Sequence, residues 1–224
     1  MKTQTATLKA KSKRKSLPAA LWALTISAFG IGTTEFVIVG LLPTVANDLN
    51  TSISSAGLLV SLYAVGVAIG APVLTALTSQ IARKRLLIAI MLLFIIGNGL
   101  AAIAPSFILL ILARILTGFA HGVFFSIGST IAASLVPEDK RASAISIMFA
   151  GLTVALVTGV PLGTYIGQNF GWRATFISVA ILGIIGAVAS YLLVPASIKT
   201  SKPLRIVDQL KVLKNRSILL VLAI

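Results

Sequence analysis

The sequence of 224 residues contains no cysteine, one histidine and five acidic residues. Without cysteine there is no disulfide framework, no thiolate metal site and no cysteine nucleophile. One imidazole and five scattered carboxylates are too few to assemble a metal or hydrolytic centre, so neither an enzyme nor a cofactor is implied. Charge of any sign is scarce: 11% of residues are Asp, Glu, Lys or Arg against 57% hydrophobic, and the mean hydropathy is +1.04. A water-soluble domain needs about a quarter of its residues charged. This chain cannot clothe itself for water, and lipid must face most of its surface.

What the sequence has in abundance is long apolar runs. Six are long enough to span a bilayer, at roughly 18–45, 55–80, 86–104, 107–134, 143–168 and 173–194. A seventh starts at "SILLVLAI" and has eight residues, which cover about 12 Å as helix against a core of about 30 Å. The reading is an all-α polytopic membrane protein of six transmembrane helices. A basic tail at 1–17 precedes a bundle at 18–196, a basic linker at 197–216 follows it, and 217–224 starts a seventh helix. The chain is expected to be a fragment or a truncated product.

The formal charge of +14 would suggest nucleic acid in a soluble protein. Its placement points to topology. Of the 19 Lys and Arg residues, 17 lie in the tail, the 2–3 and 4–5 connections and the linker, all on one side; Arg173 is on the other side and Arg114 inside a span. The positive-inside rule puts the N-terminus in the cytoplasm of a multi-pass protein, and anionic lipid is the expected partner of the basic surface. No nucleic-acid partner is implied. Trp22 and Trp172 fall near opposite helix ends, where interfacial belt residues are expected.

Two full charges lie inside spans. Glu35 sits eight residues before Pro43 and Arg114 seven residues into the fourth run, hence about 12 Å and 10 Å from the outer face at 1.5 Å per residue. Buried ionisable groups in a span are costly unless they face a cavity or a partner. The two are a natural pair, either as a helix-locking salt bridge or as a titrating carboxylate beside a substrate-holding Arg. His121 lies two turns beyond Arg114 on the same face, as a proton relay or an imidazole satisfied by a backbone carbonyl. Thr33 and Thr34 either line a pathway or bond back to their own helix. Asp48 reads as a solvated acid at the outer end of the first helix.

Glycine pairs at G-x-x-x-G spacing occur at Gly66–Gly70, Gly118–Gly122, Gly159–Gly163 and Gly163–Gly167; such spacing lets helix backbones approach closely. In "GLTVALVTGVPLGTYIG", Pro161 adds a lost hydrogen bond and a bend. A bent, smooth fifth helix suits a sliding interface between two halves of a carrier.

Four stretches, "TTEFVIVGLLPTVANDL", "ARILTGFAHG", "GVPLGTYIGQNFGWRATF" and "SQIARKR", make residues 17–196 resemble the N-terminal half of the major facilitator superfamily. Within it they are similar to the twelve-helix drug:proton antiporters, closest to the arabinose-type sugar efflux branch. The resemblance implies a 3+3 repeat with alternating access, the first and fourth helices lining the cavity and both Glu35 and Arg114 facing it. It assigns Arg114 and Gly118 to a helix-four motif linked to proton coupling. Gly151, Gly159, Pro161 and Gly163 fall on a helix-five antiporter motif, and Arg83 and Lys84 on a cytoplasmic gate loop. Two departures stand out. Ser79, Gln80 and Ala82 replace the family's Asp-Arg-x-Gly lead into that loop, and Val160 stands where a Gly usually precedes the Pro.

The expected function is secondary transport of a small molecule, drug or sugar, out of a bacterial cell across its plasma membrane, driven by a proton gradient and completed by a C-terminal half of the same fold. The proton-coupling and cavity residues would be Glu35, Arg114, His121 and Thr34. Proton-driven uptake uses the same parts, and a non-transporting half or interaction module is the reading from a different class.

Overall fold

The computed structural model describes residues 17–74, 77–78, 80–196 and 198. The basic tail before residue 17, Ser79, the linker expected at 197–216 apart from residue 198, and the seventh-helix start at 217–224 lie outside the described residues. All regular structure among the described residues is helical. Six helices among the described residues are long and apolar enough to cross a membrane: α1 (Ala19–Asp48), α2 (Ile53–Leu74), α3 (Arg83–Ala102), α4 (Phe107–Ser134), α5 (Glu138–Phe170) and α6 (Trp172–Leu193).

The helix starts follow from local chemistry. Ser52 and Ser106 cap α2 and α4, each hydroxyl accepting the backbone N–H three residues on, from Ser55 at 3.0 Å and Leu109 at 3.4 Å. The polar "EDK" forms a single 3₁₀ turn that runs into the helix at Arg141, so α5 begins earlier than its hydropathy suggested. Gly171, at φ +86°, turns the chain from α5 into α6 in one residue, a backbone region that any side chain would strain.

Each helix packs on a small set of partners. Helix α1 lies against α5 and α6, α2 against α4, and α3 against both α4 and α6. Exchanging α1 with α4, α2 with α5 and α3 with α6 maps these pairings onto themselves, which is the signature of two three-helix repeats. The π turns obey the same exchange. One occupies Gly70–Leu74 in α2 around Pro72, and the other Ala155–Gly159 in α5 just before Pro161. Pro161 has no N–H to give, and Val160 closes the wider turn by donating to the Ala155 carbonyl.

In lipid the tails are as apolar as leucine, so close van der Waals contact has to hold the helices. Glycines supply it. A Cβ on Gly66 would sit 2.7 Å from the Ile115 carbonyl oxygen, one on Gly122 would sit 2.8 Å from the Ala71 nitrogen, and Gly118 abuts the Tyr63 carbonyl. On α5, Gly151 abuts the Thr25 carbonyl, Gly159 the Thr33 side chain, Gly163 that of Val37 and Gly167 that of Leu41. Every one of these four faces α1. The smooth face of α5 is therefore used inside the six-helix bundle, and not as the sliding surface toward another half that its sequence suggested.

Two apolar clusters fill the interior. One contains Leu24, Ile31, Phe94, Phe124 and Met148; the other contains Val37, Leu41, Leu59, Leu110 and Phe176. Buried Thr34, Asn98, Arg114 and Thr117 fall at the seam between them. Of the two tryptophans, Trp22 is exposed as a belt residue should be, whereas Trp172 is 2% exposed and belongs to the core.

Candidate functional site

The seam between the clusters is where α1, α2, α3 and α4 place polar groups. Arg114 is 1% exposed, and its fork spreads over two neighbouring helices. One terminal nitrogen donates to the Thr34 carbonyl at 2.8 Å, the other to the Glu35 carbonyl at 3.4 Å, and Nε to the Leu59 carbonyl at 3.3 Å. The guanidinium also lies 4.0 Å from the centroid of the Tyr63 ring, a cation–π contact. Among the described residues Arg114 forms no ion pair. The helix-locking Glu35–Arg114 salt bridge, one of the two readings of this pair, is not formed, and Arg114 is closed in by α1 and α2 rather than open to a cavity. A planar, five-donor cation rooted on α4 reaches carbonyls of α1 and α2 more readily than a side chain that points away.

Glu35 goes to a different partner. Its carboxylate lies 3.7 Å from Nδ1 of His121 and its side chain is 26% exposed. The Tyr63 hydroxyl lies 2.9 Å from the same Nδ1. A ring nitrogen offers either one N–H or one lone pair, so it serves Glu35 or Tyr63 but not both. The His121 ring is held edge-on to Tyr63 and tilted against Phe125 at a centroid distance of 4.9 Å. Among the described residues His121 is thus hydrogen-bonded by the Tyr63 side chain of α2, with the Glu35 carboxylate of α1 close by, and not by a backbone carbonyl.

Thr33 donates back to the Phe29 carbonyl at 2.8 Å. Thr34 donates to Oδ1 of Asn98 at 2.6 Å, and Asn98 donates to the Phe94 carbonyl at 2.8 Å. Thr34 is buried in this network and does not line a pathway. Asn98 and Tyr63 were not singled out from the sequence, although each leaves a trace there. Asn98 is the one side chain able to hydrogen-bond in "LLIAIMLLFIIGNGLAA", and a polar side chain inside a span is costly unless it finds a partner. Tyr63 precedes Gly66 by three residues and Gly70 by seven, which sets its ring on the face that meets α4.

The remaining expected residues lie at the two ends of the bundle. Asp48 is no free loop acid: one carboxylate oxygen accepts from Trp172 Nε1 at 3.0 Å and from Arg173, whose other terminal nitrogen donates to the Ala104 carbonyl at 3.0 Å. Arg173 also stacks 4.1 Å from the Trp172 ring centroid. At the opposite end Arg83 is buried, and its Nε has no hydrogen-bond partner among the described residues. Lys84 sits 5.3 Å from the Tyr191 ring centroid. Gly118 and Gly151 are the close-approach points already described, and Pro161 marks the π turn. No group of three metal-ligating side chains occurs among the described residues.

Comparison with known proteins gives this geometry a family. The model of the Major Facilitator Superfamily matches residues 24–224. A protein of Bacillus subtilis (strain 168) called "Uncharacterized MFS-type transporter YtbD" is 56% identical over 213 residues, which are 95% of this chain and 54% of that protein. The "Chloramphenicol resistance protein" of Streptomyces lividans is 35% identical over 209 residues, 91% of this chain and 53% of that one. This chain therefore spans about half the length of the curated relatives it matches. Among solved structures, a peptide transporter in complex with sulfate superposes with a TM-score of 0.73 at 17% identity, over 92% of this chain and 45% of that one; at that identity the likeness concerns the fold alone.

Proposed function

The chain belongs to the Major Facilitator Superfamily, and from that premise we propose that it supplies the N-terminal half of a proton-coupled exporter of small organic molecules, with Glu35 as the group that carries the proton. The observation that carries the reading is the single His121 nitrogen shared by the half-buried Glu35 carboxylate and the Tyr63 hydroxyl. Ionised Glu35 requires that nitrogen to donate; protonated Glu35 can itself donate, and then competes with Tyr63 for the lone pair. The protonation state of Glu35 therefore bears on which helix, α1 or α2, holds the His121 nitrogen on α4. Arg114 stays fixed as a cation beneath them and lowers the cost of the ionised carboxylate at this depth.

Outward direction is favoured by the relative named for chloramphenicol resistance and by the proline at the α5 π turn. A cytoplasmic N-terminus is favoured by the 17 basic residues on one side of the span pattern. Helices α2 and α5 are the least buried of the six, and their free faces suit a second six-helix unit.

The test is transport by the full-length protein in proteoliposomes under proton gradients of each sign, with chloramphenicol and arabinose as probes. Glu35→Gln is expected to abolish gradient-driven movement while counterflow exchange persists. Unchanged gradient-driven transport in that variant removes Glu35 from the mechanism. Accumulation that follows the proton inward establishes uptake instead of export.

A further inference from the structure

A groove of about 720 Å³ runs between the start of α3 and the end of α6, on the outside of the bundle. Lys84, Arg85 and Tyr191 line its polar end, and Ile88 and Leu92 line its floor. From Lys84 to Leu92 is eight residues, so the floor descends about 12 Å along the helix axis. Leu92 and Tyr191 are 51% and 64% exposed, so this face looks outward to lipid. Among the described residues neither Lys84 nor Arg85 has a carboxylate within 4.0 Å. Lys84 is instead drawn over the Tyr191 ring across the groove mouth.

We propose that this groove is a binding site for one anionic glycerophospholipid of the leaflet at the basic end of the bundle. The chemistry selects that occupant. Two cations at an interface attract a phosphodiester with net negative charge, and the apolar floor below them takes an acyl chain. A free phosphate leaves the floor empty. A zwitterionic headgroup brings its own ammonium against Lys84 and Arg85. The site also lies on α3–α6, one of the pairings that join the two repeats and one that is its own mirror under their exchange. A lipid bound there grips both repeats at once.

The experiment is native mass spectrometry of the purified protein with equimolar phosphatidylglycerol and phosphatidylethanolamine of identical acyl chains. The wild type is expected to retain phosphatidylglycerol roughly tenfold over phosphatidylethanolamine, the scale set by one to two interfacial cations. Lys84→Gln with Arg85→Gln removes the preference, while Lys140→Gln with Arg141→Gln, equal in charge change and at the same end, keeps it. Equal losses in both double variants would mean diffuse surface charge and overturn the site, as would an unchanged preference in the first. Should the first double variant fail to fold, wild-type protein and a phosphatidylglycerol with a diazirine-bearing chain decide the matter. Crosslinks on the Ile88–Leu92 peptide support the site, and crosslinks spread over all six helices refute it. Competition by glycerol phosphate alone would show that the headgroup suffices without the chain, contrary to the proposal.

Discussion

Substituting Arg114 by Lys separates the geometry of the guanidinium from its charge. The fork donates to carbonyls of Thr34, Glu35 and Leu59 and rests on the Tyr63 ring. A lysine ammonium is a compact point charge on a flexible stem; of the three carbonyls only that of Thr34, at 2.8 Å, is now met at full-strength distance. Losing two long hydrogen bonds at about 0.6 kcal/mol each, a typical value within membranes, and about 1 kcal/mol of cation–π attraction totals about 2 kcal/mol. That is roughly a thirtyfold shift in the unfolding equilibrium. Arg114→Met gives up the Thr34 bond as well, but it also removes the cost of holding a charge inside a span, about 3 kcal/mol. The Lys variant should therefore be the less stable of the two. Equilibrium unfolding in mixed dodecyl maltoside and SDS micelles, followed by the fluorescence of buried Trp172, measures both. A Met variant less stable than the Lys variant would refute the reasoning, because charge itself, acting on Glu35, would then hold the helices together.

Further outcomes follow from the same contacts. Gly118→Ala should destabilise by about 2 kcal/mol, the usual cost of overpacking, because its Cβ would press on the Tyr63 carbonyl; Gly99→Ala, with open space around it, should not, and equal effects in the same unfolding assay would contradict the packing of α2 on α4. Asp48→Ala should cost about 1 kcal/mol by leaving the buried Trp172 indole N–H unpaired, with a red shift in Trp172 emission as the check. His121 is the one histidine of the chain, so ¹⁵N-histidine NMR in nanodiscs reports it alone. Tyr63→Phe should move the Nδ1 resonance away from its hydrogen-bonded position while Nε2 stays put, and an unmoved Nδ1 signal would mean that the Tyr63 hydroxyl is bonded elsewhere.

Much of the architecture was legible because hydropathy is a one-dimensional quantity. Six apolar runs become six helices for a simple reason: in lipid each segment must satisfy its own backbone groups. Glycine spacing likewise marked the approach faces, since four-residue steps share a helix face whatever packs against it. The α5 stripe shows the limit of that reasoning. The spacing announced a close contact, but its partner is α1 of the same bundle and not a separate half.

The polar seam divides along the same line. Depth could be counted in residues, so a carboxylate and a guanidinium at one level were foreseeable from Glu35 and Arg114 alone. Their partners were not. Which groups meet depends on which helices are neighbours and on where each side chain can reach from its own Cα, and only the packed bundle sets those. Packing α4 against α1 and α2 turned Arg114 toward backbone carbonyls, brought Glu35 and Tyr63 to one nitrogen of His121, and drew Trp172 off the interface onto Asp48. Composition and periodicity determined that this is a membrane bundle with charge at mid-depth; the tertiary structure decided which atoms hold that charge, because hydrogen bonds are made across helices that the linear order does not place side by side.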